Sequence, residues 1–166
     1  MKANSADGTR ALWIKLTSLL PQQVGELWAI AFAERGAKIL ARKRTFPLSA
    51  QRSEAEPFRI TLPDGSLDGT HTRGDLGALR WDLRYRSQAP TFRPFPQAWM
   101  YRGAFPRSKS LTPSPDARFE GWFEAFGERW QVDGWRGCQG HNWGASHAQA
   151  YAWVHSNTLC ERPEGP

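Results

Sequence analysis

The sequence predicts an all-β protein, built as an antiparallel β-barrel or half-barrel with little helix. Residues 79–86 alternate strictly between apolar and charged side chains, as in a strand with one buried and one solvated face. Glycine-containing turn dipeptides recur between apolar stretches, at Arg35-Gly36, Asp64-Gly65 and Gly127-Glu128. No amphipathic pattern of helical period runs for more than three turns. Short strands joined by such turns are typical of sandwiches and barrels.

The first half of the chain supplies two hairpins. Residues 11–20 place Leu12, Ile14 and Leu16 on one face, which predicts a strand. Residues 26–34 are apolar on both faces, so we expect that strand to be covered on both sides. The chain then turns at Arg35-Gly36 and returns through residues 37–46, and a further strand precedes Asp64-Gly65.

The second half is less regular. Residues 69–77 are polar and rich in glycine, which predicts a loop or a ragged edge. Three prolines exclude residues 90–96 from a central strand, because proline lacks a donor for the ladder. Residues 113–116, Pro-Ser-Pro-Asp, are expected to turn the chain. The remaining strand predictions, which bring the total to nine or ten, are residues 58–62, 99–105, 119–126, 129–133 and 151–158.

The length of 166 residues suits one domain, which we expect over residues 1–160, followed by a frayed tail at residues 161–166. Nine tryptophans and nine phenylalanines are a heavy aromatic load. Such an excess must either fill a wide interior or line a binding surface.

The net charge of +6 raises the question of nucleic acid, but the basic residues are spread along the predicted strands. A solvated strand face explains that spread better than a nucleic-acid interface does. The two cysteines, Cys138 and Cys160, make no zinc spacing. The polar start of the sequence predicts no signal peptide, and no stretch is long and apolar enough for a transmembrane segment, so we expect a cytoplasmic protein.

The segment from Asp133 to His147 is the best candidate for chemistry, because Gly134, Gly137, Gly140 and Gly144 punctuate its polar and aromatic residues. Such spacing favours a sharply kinked backbone that aims neighbouring side chains at one point. Those side chains are His141 for proton transfer, Asn142 for a ligand oxygen and Trp143 for an apolar wall. The equal alternative is a purely structural turn in which Trp143 plugs the core.

Two further histidines lie near His141. His147 ends the same segment, and His155 lies in the predicted strand 151–158, where it shares one face with Tyr151, Trp153 and Asn157. A metal site formed by His141, His147 and His155 is disfavoured, because their spacing matches no known zinc site and no carboxylate lies among them. We therefore predict no metal.

Two catalytic alternatives lie close by. A Cys138–His141 nucleophile would need the two side chains to touch, and a buried thiol is the plainer interpretation. Glu120 and Glu124 share one strand face and would form a carboxylate pair, although we expect that face to meet solvent.

Residues 137–144, Gly-Cys-Gln-Gly-His-Asn-Trp-Gly, followed by Tyr151-Ala152-Trp153, resemble the lipocalin-like domain of the hydroxyneurosporene synthase (carotenoid 1,2-hydratase) group. That group also includes tocopherol-cyclase-like proteins and some fungal pericyclases. The resemblance covers residues 8–159 and is specific only around His141, which stands where the hydratases often carry an acidic residue. Family members usually contain two lipocalin-like halves, and this chain resembles the first.

The resemblance implies a lipocalin-like barrel that binds a hydrophobic small molecule, isoprenoid- or polyketide-like. It also implies proton-dependent hydration, cyclisation or isomerisation, without a redox cofactor. The predicted catalytic residues are His141 and Asn142. The residues predicted to bind the ligand are Trp130, Gln139, Trp143, His147, Tyr151, Trp153 and His155.

The alternative is a non-catalytic interaction or structural module. Its aromatic residues would form a core and an interface to a second lipocalin-like domain or to a homodimer partner. An enclosed cavity lined by His141, Trp143 and Trp153 would favour the ligand-binding hypothesis. A packed barrel with flat, exposed aromatic side chains would favour the interaction module.

Overall fold

The structure, a computed structural model, describes residues 1–146, so the predicted strand at 151–158 lies outside the described residues. The strands are β1 (Lys2–Asn4), β2 (Ala11–Leu19), β3 (Val24–Ala33), β4 (Lys38–Pro47), β5 (Arg52–Ala55), β6 (Phe58–Leu62), β7 (Gly65–Asp68), β8 (His71–Asp75), β9 (Arg80–Ser87), β10 (Ser108–Ala125) and β11 (Glu128–Gly144). They form one antiparallel sheet in the order β4-β3-β2-β1-β11-β10-β9-β8-β7-β6-β5. The sheet is curled into a half-barrel, as predicted.

The curl brings the two ends of the sheet face to face. A Cβ placed on Gly65 of β7 would lie 2.8 Å from Cδ2 of Leu27 on β3, so the Leu27 side chain rests directly on that glycine. Arg44 of β4 and Asp64, just before β7, form an ion pair across the same gap. The concave face of the sheet therefore closes over its own side chains.

Aromatic rings fill the concave face. Residues 79–86 alternate as predicted. Trp81, Leu83 and Tyr85 are buried, Asp82 is half-buried, and the arginines of the strand are exposed. Trp81 stacks on Phe123 with ring centroids 6.2 Å apart, Phe123 on Trp130 at 5.9 Å, and Trp130 lies 6.3 Å from Trp135. This aromatic row, Trp81–Phe123–Trp130–Trp135, packs the interior that a lipocalin-like lumen would occupy.

The structure has hairpin turns at or next to the three predicted positions, at residues 34–37, 63–64 and 126–127. Arg35 and Gly36 take positive φ values of 56° and 92° between β3 and β4. Phe126 and Gly127 do the same, at 56° and 79°, between β10 and β11. Positive φ at both central positions matches the right-handed twist of the flanking strands.

The prediction of a loop at residues 69–77 is wrong, because this segment contains β8. Thr72 is fully buried there, donates to the Ser66 carbonyl at 2.9 Å and accepts the Trp81 indole N–H at 3.1 Å. Gly74 lies beneath the Trp81 ring, where a Cβ would come within 2.3 Å of the indole. Gly74 thus leaves room for the Trp81 ring, and Thr72 accepts a hydrogen bond from its indole N–H.

The turn predicted at residues 113–116 is also wrong, since β10 runs through it. The register between β10 and β11 shifts between Leu111 and Ser114 and again between Ser114 and Ala117. A bulge leaves backbone groups unpaired, so a strand accepts prolines there.

Residues 99–105 form no strand. Ala98–Tyr101 is a 3₁₀ helix, in which Met100 N–H donates to the Gln97 carbonyl at 3.0 Å. Residues 90–96 contribute only an isolated bridge, between Phe92 and Thr112, in keeping with their prolines. Among the described residues, no helix has the length and apolar character needed to cross a membrane.

Candidate functional site

The Gly-rich segment is the end of a strand and not the kinked turn that the sequence predicted. β11 runs through to Gly144, and its pairing with β10 shifts register near Asp133 and Gly134 and again on either side of Gln139. β1 pairs with β11 as far as Cys138, and β9 pairs with β10 as far as Ala117. Beyond these points β10 and β11 continue as a hairpin, which we call the arm together with the connecting residues 88–107.

Three aromatic side chains meet on the arm. The imidazole of His141 stacks on the indole of Trp143, with centroids 5.0 Å apart and planes 21° apart. The ring of Tyr101 lies 6.2 Å from that of Trp143, with the planes tilted by 30°. His141 is exposed, whereas Trp143 and Tyr101 are half-buried. We call this set, Tyr101, His141 and Trp143, the aromatic shelf.

A buried lysine ties the aromatic shelf to the connecting segment. Lys109 pairs with Trp143 across the ladder and is only 4% exposed. Its ammonium group donates to the Gly103 carbonyl at 3.0 Å and also to the Pro106 carbonyl. Two carbonyl acceptors offset part of the cost of burying the charge and fix the residue 103–106 backbone beside the shelf.

Burial changes the chemistry of His141. Desolvation of the ring lowers the pKa of His141 below its ordinary value of 6.5, while the residue as a whole remains exposed. The ring is therefore mainly neutral at pH 7, which is the form that can accept a proton.

The structure separates several of the predicted site residues. Asn142 lies next to His141 in an extended strand, so its side chain points to the opposite face. Gln139 is buried and shares the face of His141. Trp130 lies about 30 Å away along β11 in the aromatic row of the core, far from the shelf. His147, Tyr151, Trp153 and His155 lie outside the described residues.

Neither of the two main depressions on residues 1–146 is lined by His141 or Trp143. Two depressions stand out on residues 1–146, and both are open to solvent. One lies between β7 and β9 beside Arg73 and Trp122, and the other beside Thr9 and Arg35. Neither touches the aromatic shelf. The same residues contain no group of three or more metal-ligating side chains.

The two catalytic alternatives have no suitable geometry. Cys138 is a buried free thiol, three positions and about 10 Å along the strand from His141, on the opposite face. Burial raises the pKa of the Cys138 thiol, which disfavours the reactive thiolate. Glu124 is bound by Arg80 at 2.7 Å and by Arg129 at 2.6 Å, and Glu120 lies 3.6 Å from Arg86, so both carboxylates serve in ion pairs.

The structure contains one polar pair that the sequence did not indicate. Nε2 of His71 on β8 lies 2.7 Å from Oδ1 of Asp82 on β9, at the edge of the open depression beside Arg73. Asp68 accepts the backbone N–H of His71 at 2.8 Å and so fixes the start of β8. The alternation within β9 predicts that Asp82 faces outward. Its partner His71 could not be predicted, because it lies on β8, which the sequence did not indicate.

Comparisons of the chain with known protein families, with curated proteins and with solved structures find no match. The resemblance to the hydroxyneurosporene synthase group therefore stays a prediction from the residues around His141.

Proposed function

We propose that this chain binds a hydrophobic small molecule, isoprenoid- or polyketide-like, on the aromatic shelf and not in the barrel lumen. One observation carries the proposal. The lumen is filled by the row Trp81–Phe123–Trp130–Trp135, whereas the His141–Trp143 stack lies outside it and keeps an accessible face. Rings held in place offer apolar contact at a low cost in conformational entropy.

The chemistry of the shelf fits a flat, unsaturated molecule. Such a molecule can extend the existing stack of Tyr101, Trp143 and His141 by one more layer. Lys109, the ladder partner of Trp143, directs its ammonium group to the Gly103 and Pro106 carbonyls. A hydrocarbon framework with few polar groups is the class of ligand that this surface favours.

Should the bound molecule be turned over, His141 is the group that moves the proton. Its lowered pKa keeps the ring in the neutral form, which can take a proton from the molecule and return it, as an isomerisation requires. Donation to an alkene, as hydration requires, needs the imidazolium, which is scarce at pH 7. Asn142 faces away from the same molecule, so it is not placed to assist there.

The proposal is tested by titrating the protein with cis-parinaric acid, a fluorescent polyene. We expect saturable binding that Trp143→Leu weakens at least about tenfold and that His141→Gln weakens less, because glutamine keeps part of the contact area. Trp13→Leu is the matched control, since Trp13 is 38% exposed on the convex face of β2. Equal losses in the Trp143 and Trp13 variants would contradict a site on the shelf.

A second candidate function is an interface to a second lipocalin-like domain or to a homodimer partner. The observation that favours it is an apolar patch on the convex face of β2, β3 and β4, formed by Trp13, Ile30, Phe32 and Ile39. Trp13 pairs with Ile30 and Phe32 pairs with Ile39 in the ladder, and Ile39 is 61% exposed. Light scattering of the parent and of Ile39→Lys tests it, with a dimer that the lysine dissociates as the expected result.

A further inference from the structure

We propose that the end of the arm docks on an anionic lipid surface. The docking residues are Trp99, Arg102, Phe105 and Arg107, which we call the tip. This inference goes beyond the proposed ligand site and does not depend on it, because the tip and the aromatic shelf use different side chains.

The tip exposes large aromatic rings. Trp99 and Phe105 are 58% and 63% exposed, and they stack on each other with centroids 6.2 Å apart. Phe92, on the same connecting segment, is 58% exposed. Exposed aromatic side chains grouped in this way are rare on the free surface of a soluble domain and mark a surface that meets another phase or molecule.

The tip is also strongly cationic. The connecting residues 88–107 contain no aspartate or glutamate and carry three arginines, Arg93, Arg102 and Arg107. Arg102 and Arg107 are exposed, and neither forms an ion pair with a carboxylate of residues 1–146. Charge of this kind beside apolar rings is complementary to a surface that presents phosphate groups above hydrocarbon.

The backbone of the tip is held in place, so its aromatic rings are already arranged for contact. Lys109 binds the carbonyls of Gly103 and Pro106 on either side of Phe105. The Tyr101 hydroxyl accepts the Phe95 N–H at 2.9 Å, and Ala145 N–H donates to the Arg107 carbonyl at 2.9 Å. A fixed surface loses little conformational entropy on docking.

A lipid surface suits the tip better than a folded acidic partner does. Tryptophan is favoured at the membrane interface, where the ring contacts hydrocarbon and the indole N–H stays hydrated. Arginine pairs with phosphate in two-pronged geometry. A membrane is also the phase in which an apolar ligand would be dissolved, next to the shelf that we propose receives it.

Sedimentation with vesicles tests this inference without any ligand present. We expect binding to phosphatidylcholine vesicles that contain 30% phosphatidylglycerol and little binding to pure phosphatidylcholine. The double variants Trp99→Ala/Phe105→Ala and Arg102→Gln/Arg107→Gln should each weaken binding at least about tenfold. The matched control is Leu20→Ala/Arg52→Gln, which removes one exposed apolar and one exposed basic side chain elsewhere.

Several outcomes would overturn the inference. These are no preference for the anionic vesicles, equal losses in the tip and control variants, or tight binding of a dT20 oligonucleotide by a protein that ignores vesicles. Thermal melting of each variant shows that it is folded. Trp143→Leu separates the two proposals, because it should abolish parinaric acid binding while vesicle binding remains.

Discussion

The imidazole of His141 lies against the indole of Trp143 two residues further along β11, with their centroids 5.0 Å apart. Both side chains occur on the same face because the strand is extended. Burial lowers the pKa of His141 below 6.5. Trp143 is the aromatic ring stacked on the imidazole, so we expect it to account for part of that burial.

Removing the indole should therefore raise the pKa of His141 toward its ordinary value. Because the folded parent binds this proton less readily than the unfolded chain, its free energy of unfolding should fall as the pH drops below about 6.5. Trp143→Ala should reduce that pH dependence. The measurement is an NMR titration of the imidazole Cε1–H in the parent, in Trp143→Ala and in Trp13→Ala as a control. A parent pKa of 6.5 or above would contradict the packing explanation.

The two most deeply buried tryptophans should respond differently to replacement by phenylalanine. Trp81 donates its indole N–H to Thr72 at 3.1 Å, whereas the Trp130 N–H is buried without a partner among the described residues. Trp81→Phe loses a hydrogen bond and leaves a buried acceptor unpaired, so we expect it to cost about 2–4 kcal/mol. Trp130→Phe removes an unsatisfied donor along with some packing, so we expect a loss below about 1 kcal/mol. Urea denaturation that gave equal losses would refute this difference.

Glycines in the candidate segment should differ in their tolerance of alanine. A Cβ on Gly137 would lie 1.8 Å from the Lys2 carbonyl oxygen, a backbone atom that moves only if β1 moves. Gly137→Ala should therefore cost at least about 2 kcal/mol. Gly140→Ala is the control, since the nearest atom is 3.9 Å from its Cβ position, and it should change stability by less than about 0.5 kcal/mol. Thermal melting is the measurement. Equal melting temperatures for the two variants would contradict the prediction and show that stability does not depend on the close pairing of Gly137 with β1.

Alternation and turn chemistry predicted the parts of the fold that are set locally. β9 follows from alternating apolar and charged side chains, β2 from its apolar face, and β3 from an apolar run that ends at a turn. β8 could not be predicted from such a local pattern. It is held by the hydrogen bond from the Trp81 indole to Thr72 and by the space that Gly74 leaves for the Trp81 ring. The prolines in β10 indicated a turn where the strand continues. The register shifts that accommodate them depend on the partner strand, so they could not be seen in the local sequence.

The site divides in the same way. His141 and Trp143 are neighbours within one strand, so the sequence alone could bring them together. Tyr101 and Lys109 reach the shelf only through the arm, whose register includes two shifts that no local pattern showed. The His71–Asp82 pair likewise required the pairing of β8 with β9.

The location of the binding surface is tested most directly by following the indole N–H resonances of the protein in ¹H–¹⁵N spectra during a titration with cis-parinaric acid. Our account predicts that the Trp143 resonance shifts progressively and saturably, while the resonances of the core residues Trp81, Trp130 and Trp135 stay in place. Shifts concentrated on those three core tryptophans, with Trp143 unchanged, would place the ligand in the barrel interior and contradict a site on the arm.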